Sequence, residues 1–280
     1  MYCNHFGLNE IPFGITPDTS FIYSNDAHQE ALNTLLIGLS TGEGFIKIVG
    51  EVGTGKTLLC RRLLATLGED HILAYLPNPM LDPRALLGAI AEELDLTLDN
   101  ALHDPSFQLI KTINRHLLTQ AAKGKKVVVV LDEAQCMPLE SLETLRLLSN
   151  LETEKQKLVQ VIMFGQPELD EKLANPSVRQ LRQRIVLHYR MPGLRREEVA
   201  HYLRHRLRVA GYRGNDLFTG NTAALLWHLS YGTPRLVNIL AHKSLLLAFG
   251  EGKSFVTKNH VVQAGRDTEG AIKISWWRTL

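Results

Sequence analysis

A glycine-rich loop at residues 50–57 restricts the fold of this 280-residue chain more than any other stretch of its sequence. Its letters, GEVGTGKT, fit the pattern G-x-x-x-x-G-K-[ST], in which backbone N–H groups and a helix N-terminus surround a phosphate. The apolar run at 45–49 predicts a buried strand before the loop, and the periodicity of 58–64 predicts an amphipathic helix after it. The chain therefore needs a fold with a strand, a tight loop and a helix in this order.

The loop supplies a first set of candidate ligands. Lys56 is predicted to reach the β- and γ-phosphates of a nucleotide, and the hydroxyl of Thr57 is predicted to bind a Mg²⁺ ion shared with them. The other phosphate contacts are assigned to Gly50, Glu51, Val52, Gly53, Thr54, Gly55 and Leu58. The alternative interpretation is a glycine turn that only joins a strand to a helix.

Two acids follow the apolar, β-branched run at 127–131, which predicts a central parallel strand. Asp132 is a candidate carboxylate ligand for the Mg²⁺ ion that Thr57 also binds. Glu133 is predicted to orient and polarise the water that attacks the γ-phosphate. An N-cap or a solvated strand end is the alternative for each acid, but the phosphate-binding loop in the same chain favours the catalytic interpretation.

Predicted strands and helices alternate up to residue 191. Apolar runs predict strands at 45–49, 71–76, 127–131, 158–164 and 185–189. This alternation is typical of an α/β fold with a doubly wound, parallel, five-stranded sheet that binds ligands at the carboxyl ends of its strands. Later residues predict helices only, at 195–210, 220–230, 234–249 and 257–266. We expect an extended N-terminal arm (1–25), an α/β domain (26–191), a smaller helical domain (192–268) and a tail (269–280).

Composition describes an ordinary globular protein, with 45% hydrophobic and 21% charged residues. The formal net charge of +2 does not by itself indicate a nucleic-acid partner. The three cysteines are far apart in the sequence, which favours free thiols in a reducing compartment. The N-terminus lacks the pattern of a secretory signal, and no run reaches the roughly 18 apolar residues of a membrane span. We therefore expect a cytoplasmic protein.

The loop, the strand-end acids and the later segment Gly232-Thr233-Pro234-Arg235 resemble the AAA+ ATPases, and the resemblance covers nearly the whole chain. It implies that the chain binds ATP and Mg²⁺ and hydrolyses ATP. It also implies that Pro234 and Arg235 belong to a helical lid whose arginine reaches back to the nucleotide. Gln166, which follows the predicted strand at 158–164, matches the polar residue that senses the γ-phosphate.

Two further assignments rest on the same resemblance. Asn78 matches the position that can hold the catalytic glutamate inactive until a partner binds, with a turn residue between two prolines as the alternative. Arg184 resembles the arginine finger that enters a neighbouring subunit's site, and Arg182 and Arg179 are the other candidates. Its alternative is a solvated arginine paired with a surface acid. A finger in trans implies a homo-oligomer, either a ring or a filament.

Several segments resemble more narrowly the ExeA/GspA-like secretion ATPases and, among these, the ATPases of MSHA-type (type IV) pilus biogenesis. They are 6–8, 12–13, 21–23, 50–57, 132–135 and 164–169. This resemblance implies that Tyr23 covers the adenine, with plain packing as the alternative. It also implies that the partners are pilus or secretion assembly proteins, which recruit the protein to the inner membrane.

Two other functions stay open. A DNA-binding regulator of transposition has a similar core, and Arg204, Arg206 and Arg208 on the predicted helix at 195–210 are candidate contacts to DNA. A solvated helix face is the alternative for these arginines. A nucleotide-gated adaptor would bind ATP but hardly turn it over, and the intact pair of Asp132 and Glu133 argues against it.

Overall fold

The computed structural model describes residues 2–16, 18–23, 25–96, 105–150 and 157–273. The sequence also predicts a helix from about 139 to 151, and the predicted end of this helix at Leu151 lies outside the described residues, as does most of the predicted tail at 269–280. The chain divides into two compact units. The α/β unit consists of Ala27–Gly50 and Leu59–Met191, and the helical unit consists of Met1–Asp26, Glu51–Leu58 and Pro192–Leu280.

A five-stranded parallel sheet forms the α/β unit. Its strands are β1 (Phe45–Gly50), β2 (His71–Leu76), β3 (Lys126–Leu131), β4 (Val159–Gly165) and β5 (Ile185–Met191). Their order across the sheet is β2-β3-β4-β1-β5. Every neighbouring pair is parallel, so all five carboxyl ends lie at the same edge of the sheet. The predicted α/β fold class is confirmed.

The two faces of the sheet are buried in separate apolar cores. In β3, Val127 and Val129 belong to the core on one face, whereas Val128 and Val130 belong to the core on the other. Side chains alternate between the faces of a strand, and an unbroken apolar run therefore suits a strand that is covered on both sides. This is why the sequence predicted β3 as a central strand.

Helices connect the strands and cover the sheet. Between residue 26 and β5 the helices are α2 (Asp26–Thr41), α3 (Lys56–Thr66), α4 (Pro83–Glu93), α5 (Pro105–Ala122), α6 (Leu139–Ser149), α7 (Glu168–Leu173) and α8 (Arg179–Arg184). Helix α4 begins at Pro83, where the carboxylate of Asp82 accepts a hydrogen bond from the N–H of Ala85 and the proline occupies the first helical position. Throughout the described part of the chain, each helix is too short or too polar to span a membrane.

The helical unit packs four helices around an apolar core. They are α9 (Arg196–Val209), α10 (Gly220–Ser230), α11 (Pro234–Gly250) and α12 (Lys258–Arg266). The core also contains N-terminal aromatic residues, among them Tyr2, Phe6, Phe13 and Phe21. The prediction of an extended arm is therefore wrong for two segments: Tyr2–Phe6 forms helix α1, and Thr19–Phe21 forms a 3₁₀ turn. The helical conformation of these two segments lets the side chains of Tyr2, Phe6 and Phe21 reach the core, and the burial of their apolar surface favours this conformation.

Candidate nucleotide-binding site

The loop after β1 is closed by hydrogen bonds to a single carbonyl. The oxygen of Glu51 accepts from the N–H of Thr54 at 3.3 Å, from the Thr54 hydroxyl at 2.9 Å and from Nζ of Lys56 at 3.0 Å. Gly53 and Gly55 adopt φ values of +82° and +97°, which strain residues with a Cβ. The backbone conformation thus requires glycine at positions 53 and 55.

Lys56 is the first residue of helix α3 and is only 5% exposed. An ammonium group that leaves water needs hydrogen-bond partners, and the Glu51 carbonyl supplies one. Thr57 and Leu58 follow in the first turn and are half-buried. The first N–H groups of a helix have no partners within the helix, and the helix dipole adds positive potential there. The start of α3 therefore has the donors and the field that bind an anion.

Arg235 contacts the loop directly. It follows Pro234 in the first turn of α11, and its N–H donates to the carbonyl of Gly53 at 3.3 Å. A Cβ at position 53 would lie 2.3 Å from the Cβ of Arg235. Among the residues that the structure describes, the guanidinium of Arg235 makes no hydrogen bond or ion pair, and the side chain is exposed. The lid arginine predicted from sequence is therefore adjacent to the loop, with its charged group available.

Asp132 follows the carboxyl end of β3 and is 3% exposed. Its N–H continues the sheet by donating to the carbonyl of Leu76 at 3.0 Å, and its Oδ1 accepts from the N–H of Glu133 at 3.0 Å. Burial, followed by the negative charge of Asp132, raises the pKa of the Cys60 thiol to about 12. Cys60 therefore stays protonated at neutral pH.

Glu133 adopts the left-handed conformation, with φ +53°, which costs a residue with a Cβ about 1–2 kcal/mol. Its Oε2 accepts from Nε2 of Gln166 at 3.0 Å and from Nε2 of Gln135 through a short hydrogen bond. Oε1 of Gln135 in turn accepts from the N–H of Gln166 at 3.0 Å. The structure thus brings the predicted residues Glu133 and Gln166 together, at the ends of the neighbouring strands β3 and β4.

Gln135 is not among the site residues predicted from the sequence. It lies in the segment 132–135, but a glutamine two positions after an acid has no distinctive signature. The 3₁₀ turn Ala134–Cys136 brings its side chain back towards Glu133. Only the pairing of β3 with β4 brings Gln166 to the same place.

Asn78 and Tyr23 have different surroundings. Asn78 is exposed after β2, and within the described ranges it makes no hydrogen bond to Glu133. Tyr23 packs edge-on against Tyr202, with ring centroids 5.6 Å apart, and lies at the same distance from the ring of His205. This packing accounts for Tyr23 within its own unit. The roles assigned to both residues stay predictions.

The three candidate finger arginines all lie on α8. Arg184 is half-buried and donates to the hydroxyl of Ser149 at 2.7 Å. Arg179 and Arg182 are exposed, and in the described part of the chain their side chains make neither ion pairs nor hydrogen bonds. Arg184 is thus held in place by a neighbouring helix, whereas the other two project freely.

The basic helix predicted at 195–210 is α9, and two of its arginine side chains form hydrogen bonds with other parts of the helical unit. Arg206 is 8% exposed, donates to the carbonyl of Pro12 at 2.6 Å and lies 4.6 Å from the ring centroid of Phe21. Arg204 forms two hydrogen bonds with the carboxylate of Asp216, at 3.1 and 3.0 Å. Arg206 thus stabilises the helical unit, and Arg204 is paired. Arg208 is exposed.

A pair of glycine substitutions tests the contact between the loop and the lid arginine. Gly53→Ala and Gly252→Ala each place a Cβ on a left-handed residue, but the space around Gly252, with φ +66°, is open. Only Gly53→Ala must also displace Arg235. We expect Gly53→Ala to lower the free energy of unfolding, measured in urea, by about 1–3 kcal/mol more than Gly252→Ala does. Equal losses would contradict the contact.

Comparison with known proteins agrees with this geometry. Residues 39–173 match the family model described as an AAA domain. Over 280 residues the chain is 41% identical to general secretion pathway protein A of Aeromonas hydrophila; it is covered completely and spans 50% of that protein.

Solved structures are similar in fold at low sequence identity. Cdc6p of Pyrobaculum aerophilum has a TM-score of 0.66 at 18% identity, covering 92% of this chain and 72% of that chain. The ORC2 protein of Aeropyrum pernix has a TM-score of 0.61 at 16% identity, covering 91% and 72%. RuvB of Thermotoga maritima has a TM-score of 0.56 at 14% identity, covering 92% and 73%. Residues 39–173 therefore resemble an AAA domain, and the chain shares the P-loop α/β fold of these structures.

Proposed function

We propose that this chain is a Mg²⁺-dependent ATPase. The observation that carries the proposal is the loop after β1, in which left-handed glycines, the start of α3 and the buried ammonium of Lys56 form an anion-binding arrangement. The ORC2 protein of similar fold was solved as ADPNP and ADP complexes, which supports an adenine nucleotide as the ligand. Tyr23 is proposed to cover the adenine. Backbone groups at 50–55 and the first turn of α3 bind its phosphates.

The residues present fit a magnesium ion. The Thr57 hydroxyl and the Asp132 carboxylate are hard oxygen ligands, and Mg²⁺ is commonly held by one or two such groups together with phosphates and water. A cation is also attracted to the negative charge of Asp132, which is nearly inaccessible to solvent. When bound, the ion neutralises charge on the phosphates.

Glu133 is the proposed general base. It accepts a proton from water as the water oxygen bonds to the γ-phosphorus and the bond from that phosphorus to the β–γ bridging oxygen breaks, which yields ADP and phosphate. Gln166 is proposed to sense the γ-phosphate, and Arg235 to contact the nucleotide from the helical unit. The charges of Lys56 and Arg235 stabilise the developing negative charge.

Two substitutions separate binding from hydrolysis. We expect Lys56→Ala to weaken ATP binding about 10- to 100-fold, because a charge-assisted contact is lost. Glu133→Gln retains ATP binding but lowers kcat about 10²- to 10⁴-fold, because the base is lost. Calorimetry measures the first effect, and phosphate release measures the second.

The exposed residues Lys111 and Glu69 provide matched controls, Lys111→Ala and Glu69→Gln, which we expect to behave like the wild type. Hydrolysis that survives both Lys56→Ala and Glu133→Gln would contradict the assigned site. Tight ATP binding by a wild-type protein that releases no phosphate would instead favour the nucleotide-gated adaptor.

We also propose that the site is completed by a second copy of this chain. Arg184 is the first candidate for the finger, and its hydrogen bond to Ser149 keeps the guanidinium in a defined position. An arginine supplied in trans contributes about 10³- to 10⁵-fold to phosphoryl transfer. Such head-to-tail contacts build a ring or an open filament.

Mixing two inactive variants tests this arrangement. Arg184→Ala keeps Glu133 but lacks the finger, whereas Glu133→Gln keeps the finger but lacks the base. If the finger acts in trans, an equimolar mixture recovers roughly a quarter of the wild-type rate, because one site in four combines an intact base with an intact finger. Phosphate release from the mixture is the measurement.

Ser149→Ala is the matched comparison, because it removes the hydrogen-bond partner of Arg184 but retains the guanidinium. We expect it to lose less activity than Arg184→Ala does. A mixture no more active than its two components would exclude Arg184 as a finger in trans, and the same test then applies to Arg182 and Arg179.

The proposed cellular role is assembly or regulation of an MSHA-like type IV pilus or a type II secretion apparatus. Its support is the 41% identity to general secretion pathway protein A, together with the segments that resemble the pilus ATPases. The partners are assembly proteins that recruit the chain to the cytoplasmic side of the inner membrane. The alternative partner, DNA, draws less support from α9, because Arg206 is buried and Arg204 is paired with Asp216.

Deleting the gene in its host tests the cellular role. We expect assembled pilin or type II-secreted protein at the cell surface to fall at least about tenfold. Wild-type protein and Glu69→Gln restore it, whereas Glu133→Gln does not, because ATP turnover is lost. Normal pilus assembly and secretion, with ATP hydrolysis stimulated by DNA in a salt-sensitive way, would favour the transposition regulator.

A further inference from the structure

Gln135 joins the ends of two neighbouring strands through both halves of its amide. Its Nε2 donates to Oε2 of Glu133, and its Oε1 accepts from the backbone N–H of Gln166 at 3.0 Å. The side chain of Gln166 donates to the same Oε2 at 3.0 Å. The three residues therefore form a closed set of hydrogen bonds from β3 to β4, with Glu133 as the shared acceptor.

The chemistry of this set requires an amide at position 135. A carboxylate there would accept from Gln166 but could not donate to Glu133, and it would set a second negative charge against the first. An apolar side chain would lose both bonds. Both functions of the Gln135 amide, donor and acceptor, are thus in use.

The backbone beside the amide is also fixed. Gly165 precedes Gln166, and a Cβ at Gly165 would lie 2.7 Å from a methyl carbon of Leu169 and 3.4 Å from Oε1 of Gln135. Glu133 is itself held in the left-handed conformation, with φ +53°. A strained residue persists where its surroundings over-determine it, and such residues are concentrated at functional sites.

The two carboxylate oxygens of Glu133 differ in their hydrogen-bond partners. Oε2 receives two amide donors, whereas Oε1 has no hydrogen-bond partner among the residues that the structure describes. Fixing one oxygen restricts rotation of the carboxylate and so fixes the direction of the other. The base thereby has one oxygen that is anchored and one that can accept a proton.

The geometry points to Gln135 as a positioning residue that, together with Gln166, anchors Oε2 of Glu133 and so directs Oε1 towards the attacking water. This inference rests on the proposed ATP hydrolysis, in which Glu133 is the base. In this proposal Gln135 acts through Glu133.

The test uses Gln135→Leu and the isosteric Gln135→Glu in the full chain, with Gln263→Leu and Gln263→Glu on the exposed face of α12 as controls. Both Gln135 variants lower kcat for ATP about 10- to 100-fold and leave the dissociation constant for ATP unchanged, because a misdirected base impairs only the chemical step. In a Glu133→Gln background, Gln135→Leu has no further effect, because no carboxylate remains to be positioned.

Three kinetic or binding results would overturn the inference. The first is a kcat within twofold of wild type in Gln135→Leu or Gln135→Glu, while Glu133→Gln is inactive. The second is a loss of ATP affinity that accounts for the whole decrease in rate. The third is a full effect of Gln135→Leu in the Glu133→Gln background.

A crystal structure of Gln135→Leu gives a readout that does not depend on activity. We expect the Glu133 carboxylate to leave hydrogen-bond distance of Nε2 of Gln166, and an unmoved carboxylate would overturn the inference. If the wild type hydrolyses no ATP, or if Glu133→Gln is as active as wild type, the proposed function fails. The crystal structure then still decides whether Gln135 positions Glu133.

Discussion

A parallel sheet buried on both faces sends every strand's carboxyl end to the same edge, and the α/β part of the candidate site depends on this geometry. Strand β1 ends at Gly50, β3 ends before Asp132 and β4 ends before Gln166. Asp132 and Gln166 lie 82 and 116 positions after Gly50 in the chain, yet backbone pairing brings their strands into register. The arrangement of side chains at this edge thus follows from the backbone hydrogen bonds that pair the strands.

Charged and polar groups are tolerated there because the backbone supplies their partners. The Glu51 carbonyl binds the ammonium of Lys56, and the N–H of Glu133 binds the carboxylate of Asp132. Burying either charge without such partners would be unfavourable. Left-handed residues make these turns sharp enough, with glycine at 53 and 55 and, at higher conformational cost, a glutamate at 133.

Amides connect the functional groups of the α/β unit. Gln135 and Gln166 both donate to one oxygen of Glu133. A ligand that displaced the side chain of Gln166 would therefore also change the hydrogen bonding of the proposed base. In the helical unit the loop and the first turn of α11 are in steric contact, because Gly53 and Arg235 are too close for any side chain at position 53. The contacts around Glu133 thus lie within the α/β unit, and the contact between Gly53 and Arg235 lies within the helical unit.

The sequence by itself determined the order of the strands along the chain, the loop with its lysine and threonine, and the acids after β3. Each depends on local physics: apolar runs, glycine conformations and helix starts are properties of short segments. Only the tertiary structure decided which distant side chains meet. It brought Gln135 and Gln166 into hydrogen-bond contact with Glu133. It also placed Arg206 against the N-terminal segment and buried the aromatic residues of that segment in the core of the helical unit. Such contacts depend on strand pairing and packing between distant segments, which no local pattern encodes.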